Sequence, residues 1–350
     1  MESDRPTSPA TLTDVALRAG VSLATASRAL NGSATRQVGE ALRMRVRQAA
    51  AELDYSPNAQ AQAMARGTTA TLGLIVHDIA DPYFSMIAAG VIEAAAEREL
   101  LVTVASTQRD SATELRHIEL LRQARAQAVV LAGSRLDDPA LLDSTRSALR
   151  AFSRGGGRVA CIGQDVLGVS TVVVENRLGA AALAGALHRI GHRSFGVLAG
   201  PAQHLTARDR TEGFCYGLSD SGAEPAPEHV LACEFTREGG YAATADLIVA
   251  AGGRPPVDCL FAVTDVMALG ALAALRDAGL RVPEDVGLAG FDDITSLRDV
   301  VPGLTTVRLP MVEIGSMVVG IALDGPPGTV RRQGVRGEIV LRESTARPVP

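Results

Sequence analysis

From residue 71 onwards, short apolar runs of strand length alternate with amphipathic helical segments such as Met86–Glu97 and Val266–Ala278. The runs are continuously apolar, which is typical of parallel strands that are covered by helices on both faces. Two successive series of this kind predict an α/β core of two doubly wound parallel-sheet lobes. The predicted strands are Leu72–Val76, Leu101–Ala105, Ala128–Leu131, Val159–Ile162, Thr171–Val174, Phe195–Leu198, Val230–Cys233, Leu260–Val263, Val286–Ala289, Thr305–Val307 and Glu338–Leu341.

The first 70 residues carry the pattern of short helices instead. Thr11 can cap a first helix that Gly20 ends, and Ser22 can cap a second helix. This arrangement predicts an all-α helix-turn-helix domain in front of the α/β core. The predicted divisions are a disordered tail (1–10), the helix-turn-helix domain (11–57), a hinge helix and linker (58–70), and the core (71–345), with lobe one at about 71–173 and 308–330 and lobe two at about 174–307 and 331–345.

The second predicted helix has the side chains that a DNA-reading helix needs. Ser22, Thr25 and Ser27 are short hydroxyl residues suited to phosphate contacts. Arg28 is long enough to reach a base, and arginine to guanine is the commonest specific pairing. Leu23 and Ala24 offer apolar contact to a thymine methyl group. The alternative is an ordinary helical hairpin, in which the hydroxyls only cap and the arginine is solvated.

Charge and composition narrow the function classes. The net charge is −5, but residues 11–70 carry seven arginines against four acids, so a basic head precedes an acidic body. This division suits a nucleic-acid contact made by the head alone. The four cysteines are widely spaced without a CxxC pair, and the six histidines show no metal-ligand spacing. No metal, cofactor or catalytic residue is therefore expected.

Several motifs in order carry a resemblance to the LacI/GalR family of repressors. They include TLTDVALRAGVS, ATASRALNG and AELDYSPN in the head, and DPYF, GHRSFGVLAGP, TDVMALGA, GFDD and PGLTTVRLP in the core. The resemblance spans nearly the whole chain. It implies a hinge helix at Ala59–Arg66 that orders in the minor groove of operator DNA, with Met64 as the wedge and Ala61 allowing close approach. The DNA-binding residues thus predicted are Thr11, Ser22, Leu23, Ala24, Thr25, Ser27, Arg28, Asn31, Tyr55, Asn58, Ala61 and Met64.

The chain departs from the family pattern within this head. Ala26 replaces the usual valine of the second helix, and Gly39 stands where a serine commonly caps the third. A glycine cap costs only a few tenths of a kcal/mol. The fold is therefore expected to survive both changes.

The resemblance also implies an effector site in the cleft between the lobes. Such clefts form where the carboxyl ends of parallel strands meet. Arg210 and Asp292 are the leading candidates, because a guanidinium and a carboxylate can donate to and accept from one hydroxyl-rich ligand. The alternative for Asp292 and Asp293 is a turn that satisfies its own backbone. The predicted effector-binding residues are Tyr83, Phe84, Gln164, Arg210, Phe235, Asp265 and Asp292.

The resemblance makes a sugar or sugar derivative the expected ligand, with a purine as the alternative. Three departures from the family pattern leave the identity of the ligand undetermined. Asp81 replaces the more frequent asparagine, Glu175 a usual aspartate, and Thr264 an asparagine or serine.

The expected function is a transcriptional regulator that acts as a repressor and whose operator affinity a small molecule controls. One recognition helix covers a half-site, so a homodimer on pseudo-palindromic double-stranded DNA is expected. The absence of an N-terminal apolar signal segment or a membrane span predicts a cytoplasmic protein, nucleoid-associated when bound to DNA. The alternatives are a periplasmic-type sugar-binding protein, which shares the two-lobed architecture, and a nucleotide-dependent enzyme, for which GxGxxG and GxxxxGK[ST] are missing.

Overall fold

The computed structural model describes residues 10–31, 38–56 and 68–346. The chain divides into two compact units, Met1–Thr69 and Ala70–Pro350. The first unit is helical and the second is built on parallel sheets. The predicted class, a helix-turn-helix domain in front of an α/β core, is confirmed.

The described part of the N-terminal unit contains the helices α1 (Leu12–Ala19), α2 (Leu23–Asn31) and α3 (Glu40–Glu52). Thr11 and Asp14 form a capping box at the start of α1, where the Thr11 N–H donates to an Asp14 carboxylate oxygen at 2.8 Å. Gly20 ends α1 at φ 62°, a left-handed conformation that glycine adopts without steric cost. The Ser22 hydroxyl accepts the Thr25 N–H at 3.2 Å and so begins α2.

Small side chains fill the core of this unit. Ala26 is fully buried there, so the alanine that replaces the usual valine lies in the core itself. Gly39 begins α3 without a side-chain cap, as expected of a residue that lacks a side chain. The buried residues of this core are Val15, Ala16, Ala19, Ala26, Ala29, Val46, Ala49 and Ala50.

The first lobe of the core is built on a six-stranded sheet with the order β11-β5-β4-β3-β1-β2. The pairings β1–β2, β3–β4, β4–β5 and β5–β11 are parallel. Its strands are β1 (Thr69–Val76), β2 (Leu101–Ser106), β3 (Ala126–Ala132), β4 (Arg158–Gly163), β5 (Ser170–Val174) and β11 (Arg332–Val335). Its helices are α4 (Pro82–Ala96), α5 (Ser111–Gln123), α6 (Pro139–Arg154) and α11 (Met311–Leu323).

Helices cover both faces of this sheet. Leu72 and Leu74 of β1 pack into one apolar cluster with α4 and α11, while Ile75 packs into another with α5 and α6. Helices α4 and α11 pack closely because a Cβ on Gly90 or Gly315 would meet the backbone carbonyl of the facing helix. Burial on both faces explains why these strands are continuously apolar.

Strand β11 corrects one predicted boundary. Residues 331–345 were assigned to the second lobe, but Arg332–Val335 pairs in parallel with β5 of the first lobe, with Arg332 opposite Thr171. The chain crosses to the second lobe only after Val335. The β11 sequence is polar and largely exposed, as an edge strand allows, so it gave no apolar signal.

The second lobe is built on a four-stranded parallel sheet with the order β7-β6-β8-β9. A two-stranded antiparallel ribbon of β10 and β12 accompanies it. The strands are β6 (Phe195–Leu198), β7 (Val230–Leu231), β8 (Cys259–Ala262), β9 (Gly287–Ala289), β10 (Thr306–Arg308) and β12 (Glu338–Val340). The helices are α7 (Asn176–Arg189), α8 (Leu205–Tyr216), α9 (Arg237–Ala250) and α10 (Asp265–Asp277).

The carboxyl ends of strands from both lobes lead into one cleft. The residues that follow β1, β5 and β8 line it, as do those that follow β3 and β9. This is the place where open parallel sheets bind ligands. Within the described ranges, no helix is long and apolar enough to cross a membrane.

Candidate nucleic-acid interface and ligand cleft

The N-terminal end of α2 presents the predicted DNA-reading side chains on its surface. Ser22, Leu23 and Ala24 are exposed, and Leu23 keeps about half of its surface in solvent (51%). Other large apolar side chains of this unit, such as Leu17, are exposed too, so it is the place of Leu23 at the start of α2 that suits contact with a base. The alanines at 26 and 29 turn the opposite face of the helix into the core. The helix therefore has one buried face and one face free to enter a groove.

The remaining predicted residues of this helix lie beside that surface. Thr25, Ser27 and Arg28 are half-buried. The hydroxyls of Ser22 and Thr25 lie 2.8 Å apart and hydrogen-bond to each other, so a phosphate contact would compete with this bond. Asn31 closes α2.

Other predicted DNA contacts lie elsewhere. Thr11 is exposed but its hydroxyl donates to Asp14, and Tyr55 packs against the core of the unit. Asn58, Ala61 and Met64 lie outside the described residues, as does the side chain of Asn31. Their roles stay predictions.

Arg210 is the centre of the ligand cleft. Its side chain is 3% exposed and donates hydrogen bonds to the Asn176 side-chain oxygen at 2.8 Å, the Val263 carbonyl at 2.7 Å and an Asp292 carboxylate oxygen at 2.8 Å. Its guanidinium also stacks 3.9 Å above the Phe291 ring. These bonds come from three separate segments of the second lobe. They hold the guanidinium in one orientation and leave donor capacity for a ligand.

Asp292 faces Arg210 from a strained backbone position. Its φ is 121°, a value that costs a non-glycine residue about 1–3 kcal/mol. The structure holds it there because the Asp292 N–H donates to the Val307 carbonyl, and the Asp292 carbonyl accepts from Leu309. Burial raises the pKa of the Asp292 carboxyl, while the guanidinium of Arg210 acts in the opposite direction. The backbone hydrogen bonds of this turn are therefore made by neighbouring segments, and the Asp292 carboxyl faces Arg210 and the cleft.

Asp265, another predicted effector-binding residue, is not among the residues that line this cleft. It is fully buried behind the wall, where its two carboxylate oxygens accept from the Thr306 hydroxyl at 2.7 Å and the Ile294 N–H at 3.0 Å. Burial raises the pKa of this carboxyl to about 6. Its role in the structure is to anchor the turn that carries Asp292.

Gln164 lies outside the cleft lining too. Its side-chain oxygen accepts the Arg135 N–H at 3.1 Å, and its amide nitrogen donates to the Thr206 hydroxyl at 2.8 Å. Because these partners belong to different lobes, Gln164 joins the lobes beside the cleft. Glu175 also lies outside the lining and pairs with Arg336 at 2.8 Å, so this substitution does not bear on ligand choice by direct contact.

Aromatic side chains close the cleft from both lobes. Tyr83 and Phe84 pack edge to face, with ring centroids 5.0 Å apart, and Phe84 is almost completely buried. Phe235 from the other lobe is half-buried, and its ring stacks on His204 at 5.9 Å between centroids. The cleft thus brings together Tyr83, Phe84, Arg210, Phe235 and Asp292 of the predicted set, around a space that is partly open to solvent.

Several residues that line the cleft were not predicted from the sequence. They are His77, Arg109, Asn176, His204 and Thr206. His77 directly follows β1 and Asn176 comes two residues after β5, so their position at the carboxyl ends of strands was a signal that could have found them. Arg109 gave no such signal, since it lies in a turn, where its own φ is 61°, and it donates across the cleft to the Phe235 carbonyl at 3.1 Å.

Two of the substituted positions do line the cleft. Asp81 caps α4 by accepting the Tyr83 N–H at 3.0 Å, and burial raises the pKa of its carboxyl. Thr264 caps α10 by accepting the Met267 N–H at 3.4 Å. Each therefore has a structural role in addition to facing the ligand space.

The charges of the cleft balance. Asp81 and Asp292 oppose Arg109 and Arg210 among its lining residues. Burial and the neighbouring arginines lower the pKa of His77 well below its usual range, and burial lowers that of His204. Both histidines are therefore uncharged at neutral pH. Such a cleft suits a neutral ligand with many hydrogen-bonding groups.

Both units of the chain are similar to known protein families. A family described as "Bacterial regulatory proteins, lacI family" matches residues 11–58, and a "Periplasmic binding protein-like domain" matches residues 184–345. The HTH-type transcriptional repressor CytR of Escherichia coli K12 is 33% identical over 99% of both chains. The HTH-type transcriptional regulator GalR of the same organism is 32% identical over 90% of this chain and 88% of its own.

Solved structures show the same relationship. The transcriptional regulator CelR in complex with cellobiose is 30% identical, with a TM-score of 0.69 over 96% of this chain and 99% of its own. The lac repressor dimer bound to operator and the anti-inducer ONPF has a TM-score of 0.83 over 97% of this chain and all of its own; at 24% identity it shows the fold. The chain belongs to the LacI family of bacterial transcriptional regulators.

Proposed function

We propose that this protein is a transcriptional repressor whose affinity for operator DNA is controlled by a neutral sugar or sugar derivative bound between the two lobes. The observation that carries the proposal is the cluster of Arg210, Asp292 and Asn176 at the strand ends. It offers fixed donors and acceptors to a hydroxyl-rich molecule. The cellobiose bound to CelR, a relative at 30% identity, supports a sugar.

The exposed end of α2 supports the DNA-binding half of the proposal. Helix α2 is assigned to the major groove, where Arg28 reads a base, Leu23 and Ala24 offer apolar contact, and Ser22, Thr25 and Ser27 contact phosphates. Thr11, Asn31, Tyr55 and Asn58 are proposed as further DNA contacts, and Ala61 and Met64 as a minor-groove hinge. In a homodimer, the two α2 helices would each bind one half-site of a pseudo-palindromic operator. The proposed place of action is the cytoplasm, where the operator DNA is.

Coupling between the sites follows from contacts that cross the cleft. Arg109 reaches the Phe235 carbonyl, and Gln164 reaches Thr206. A ligand that favours one arrangement of the lobes changes the balance between two states of the protein, and the DNA-binding heads respond to that balance.

The test is binding of the purified protein to fluorescein-labelled DNA from upstream of its own gene. Fluorescence anisotropy is measured at several salt concentrations, with and without single sugars. We expect salt-sensitive binding that one sugar weakens, and loss of the sugar response in an Asp292→Asn variant that still binds DNA. Binding that no neutral sugar alters would contradict the proposed control.

A further inference from the structure

The two lobes contact each other directly beside the ligand cleft. Residues 134–137, which follow β3 in the first lobe, meet residues 203–208, which include the start of α8 in the second lobe. Leu136 and His204 form an antiparallel β-bridge at this place. These two segments are here called the latch.

The backbone of the latch is paired in both directions. The Asp137 N–H donates to the Gln203 carbonyl at 2.8 Å, and the Leu205 N–H donates to the Arg135 carbonyl at 2.9 Å. In separated lobes these groups would bond to water instead, and one hydrogen bond between protein groups changes an equilibrium constant by roughly 2- to 10-fold. The two bonds, formed together, therefore favour the closed arrangement of the lobes.

Side chains add to these backbone bonds. The Thr206 N–H donates to the Ser134 hydroxyl at 3.0 Å, and the Thr206 hydroxyl accepts from the side-chain amide of Gln164, which follows β4, at 2.8 Å. Arg208 forms an ion pair with Asp137 at the exposed end of the latch. Every one of these partners is a protein atom, so the latch needs no ligand to form.

The latch lies away from the places where the chain crosses between the lobes. In the first sheet, β5 and β11 both lead into crossings and lie together at one edge, whereas the latch follows β3 and is braced from β4. In the second sheet, the latch follows β6, while the bridge from Ala289 to Thr305 places the β10–β12 ribbon beside β9 at the opposite edge. Because no crossing chain holds this side of the cleft, its closure depends on the latch.

Each half of the latch is ordered by its own lobe. Arg135 forms a buried ion pair with Glu114 at 2.7 Å, and Asp138 caps α6 directly after the first segment. In the second lobe, the His204 N–H donates to the Pro201 carbonyl at 3.1 Å. Segments that are already ordered lose little conformational entropy when they pair. The bonds between the lobes are therefore opposed by only a small entropic cost.

We propose that this latch holds the two lobes closed without a ligand, and that the ion pair of Arg208 with Asp137 tunes its strength. The inference goes beyond the proposed function because it concerns the protein alone. A small molecule changes the arrangement of the lobes only by the difference between its affinities for the closed and open states. The latch sets how large that difference must be for a ligand to open the cleft. Ser134, His204 and Thr206 also line the cleft, so a ligand there contacts the latch directly.

The test is hydrogen–deuterium exchange of the full chain without added ligand, read by mass spectrometry of peptides that cover the start of α8. The N–H groups of Leu205 and Thr206 lie in the first turn of this helix, where the helix itself offers no acceptor. Their acceptors belong to the other lobe, so slow exchange at these two positions reports the latch. We expect exchange at least about 10-fold slower than in an unstructured peptide, because the latch bonds must break together. Exchange at the unstructured rate would overturn the inference.

The variant Asp137→Arg places a like charge opposite Arg208 at an exposed position. We expect the Leu205 and Thr206 N–H groups to exchange about 2- to 10-fold faster, because an exposed ion pair is replaced by a repulsion. Exchanging both charges, by Asp137→Arg together with Arg208→Asp, should return the rate to within about 2-fold of the wild type. Exchange in the buried strand β8 should stay unchanged in both variants, which separates opening of the latch from loss of the fold.

The matched control is Asp143→Arg, which makes the same change of charge on α6. It breaks an exposed ion pair with Arg146 that lies within the first lobe, so the exchange of Leu205 and Thr206 should not change. Three results would overturn the proposed role of the ion pair: an unchanged rate in Asp137→Arg, an equal rise in Asp143→Arg, or no recovery when both charges are exchanged.

Discussion

Replacing Arg210 with methionine should destabilise the core through the charge that it leaves behind. The guanidinium has three hydrogen-bond partners, and the Asp292 carboxyl that accepts one of them is 5% exposed. Removing one member of a buried ion pair costs about 3–5 kcal/mol, because the remaining charge is uncompensated. We therefore expect Arg210→Met to lower the free energy of unfolding by about 3–5 kcal/mol at pH 8, measured by urea denaturation followed by circular dichroism.

The pH dependence of this loss follows from the direction of the Asp292 pKa shift. Burial raises the pKa of this carboxyl in the folded state, and Arg210 lowers it, so the substitution raises it further. A carboxyl whose pKa is higher in the folded state binds its proton more tightly there than in the unfolded state. The free energy of unfolding therefore falls as the pH rises and that proton is lost. Protonation removes the buried charge. The difference between variant and wild type should therefore shrink between pH 8 and pH 5.5.

Two further variants separate the ion pair from general damage. Arg208 lies on the same helix, but its ion pair with Asp137 is on the surface, where the two side chains are 41% and 54% exposed. Arg208→Met should therefore lower the free energy of unfolding by less than about 1 kcal/mol. Adding Asp292→Asn to Arg210→Met should restore part of the lost stability, because no buried charge remains. An equal loss in Arg208→Met, or a loss in Arg210→Met that does not depend on pH, would refute the reasoning.

Three other perturbations test separate parts of the structure. Arg28→Ala should weaken operator binding by about 1–3 kcal/mol in anisotropy titrations and binding to random DNA by less; equal losses would remove its base-reading role. Gly90→Ala should lower the urea concentration at the unfolding midpoint, since overpacking against the Val312 carbonyl costs about 1–3 kcal/mol. The control Gly320→Ala, where the added methyl group has space, should leave the stability unchanged or raise it. Thr11→Ala should cost the N-terminal unit about 0.5–2 kcal/mol through loss of the capping box, read from the melting of that unit; an unchanged transition would show that the cap is dispensable.

The fold was largely predictable because its signals are local. Continuous apolar strands such as β3 and β8 can occur only where both sheet faces are covered, which points directly to doubly wound lobes. The helix starts at Thr11 and Ser22 were predictable as well, because each capping side chain bonds to backbone only three residues further along the chain. Strand β11 escaped prediction because three of its four residues are exposed, and its partner, β5, lies over 150 residues earlier.

The cleft was only partly predictable because its wall depends on tertiary contacts. Asp265 and Asp292 both follow strands of the same sheet, so the sequence places them at the same edge. Which carboxyl faces the ligand is decided by the unusual φ of Asp292 and by the bonds from Thr306 and Ile294 that draw Asp265 inward. Neither can be read from the order of residues along the chain.

Control of the DNA affinity by one small molecule requires thermodynamic reciprocity between the two binding sites. If the ligand weakens operator binding by a given factor, the operator must weaken ligand binding by the same factor. The measurement is calorimetric titration of the effector into the protein alone and into the protein saturated with operator DNA. We expect the ligand Kd to rise in the presence of operator by the factor seen in the DNA titrations; an equal ligand Kd in both titrations would show that the ligand does not control DNA binding.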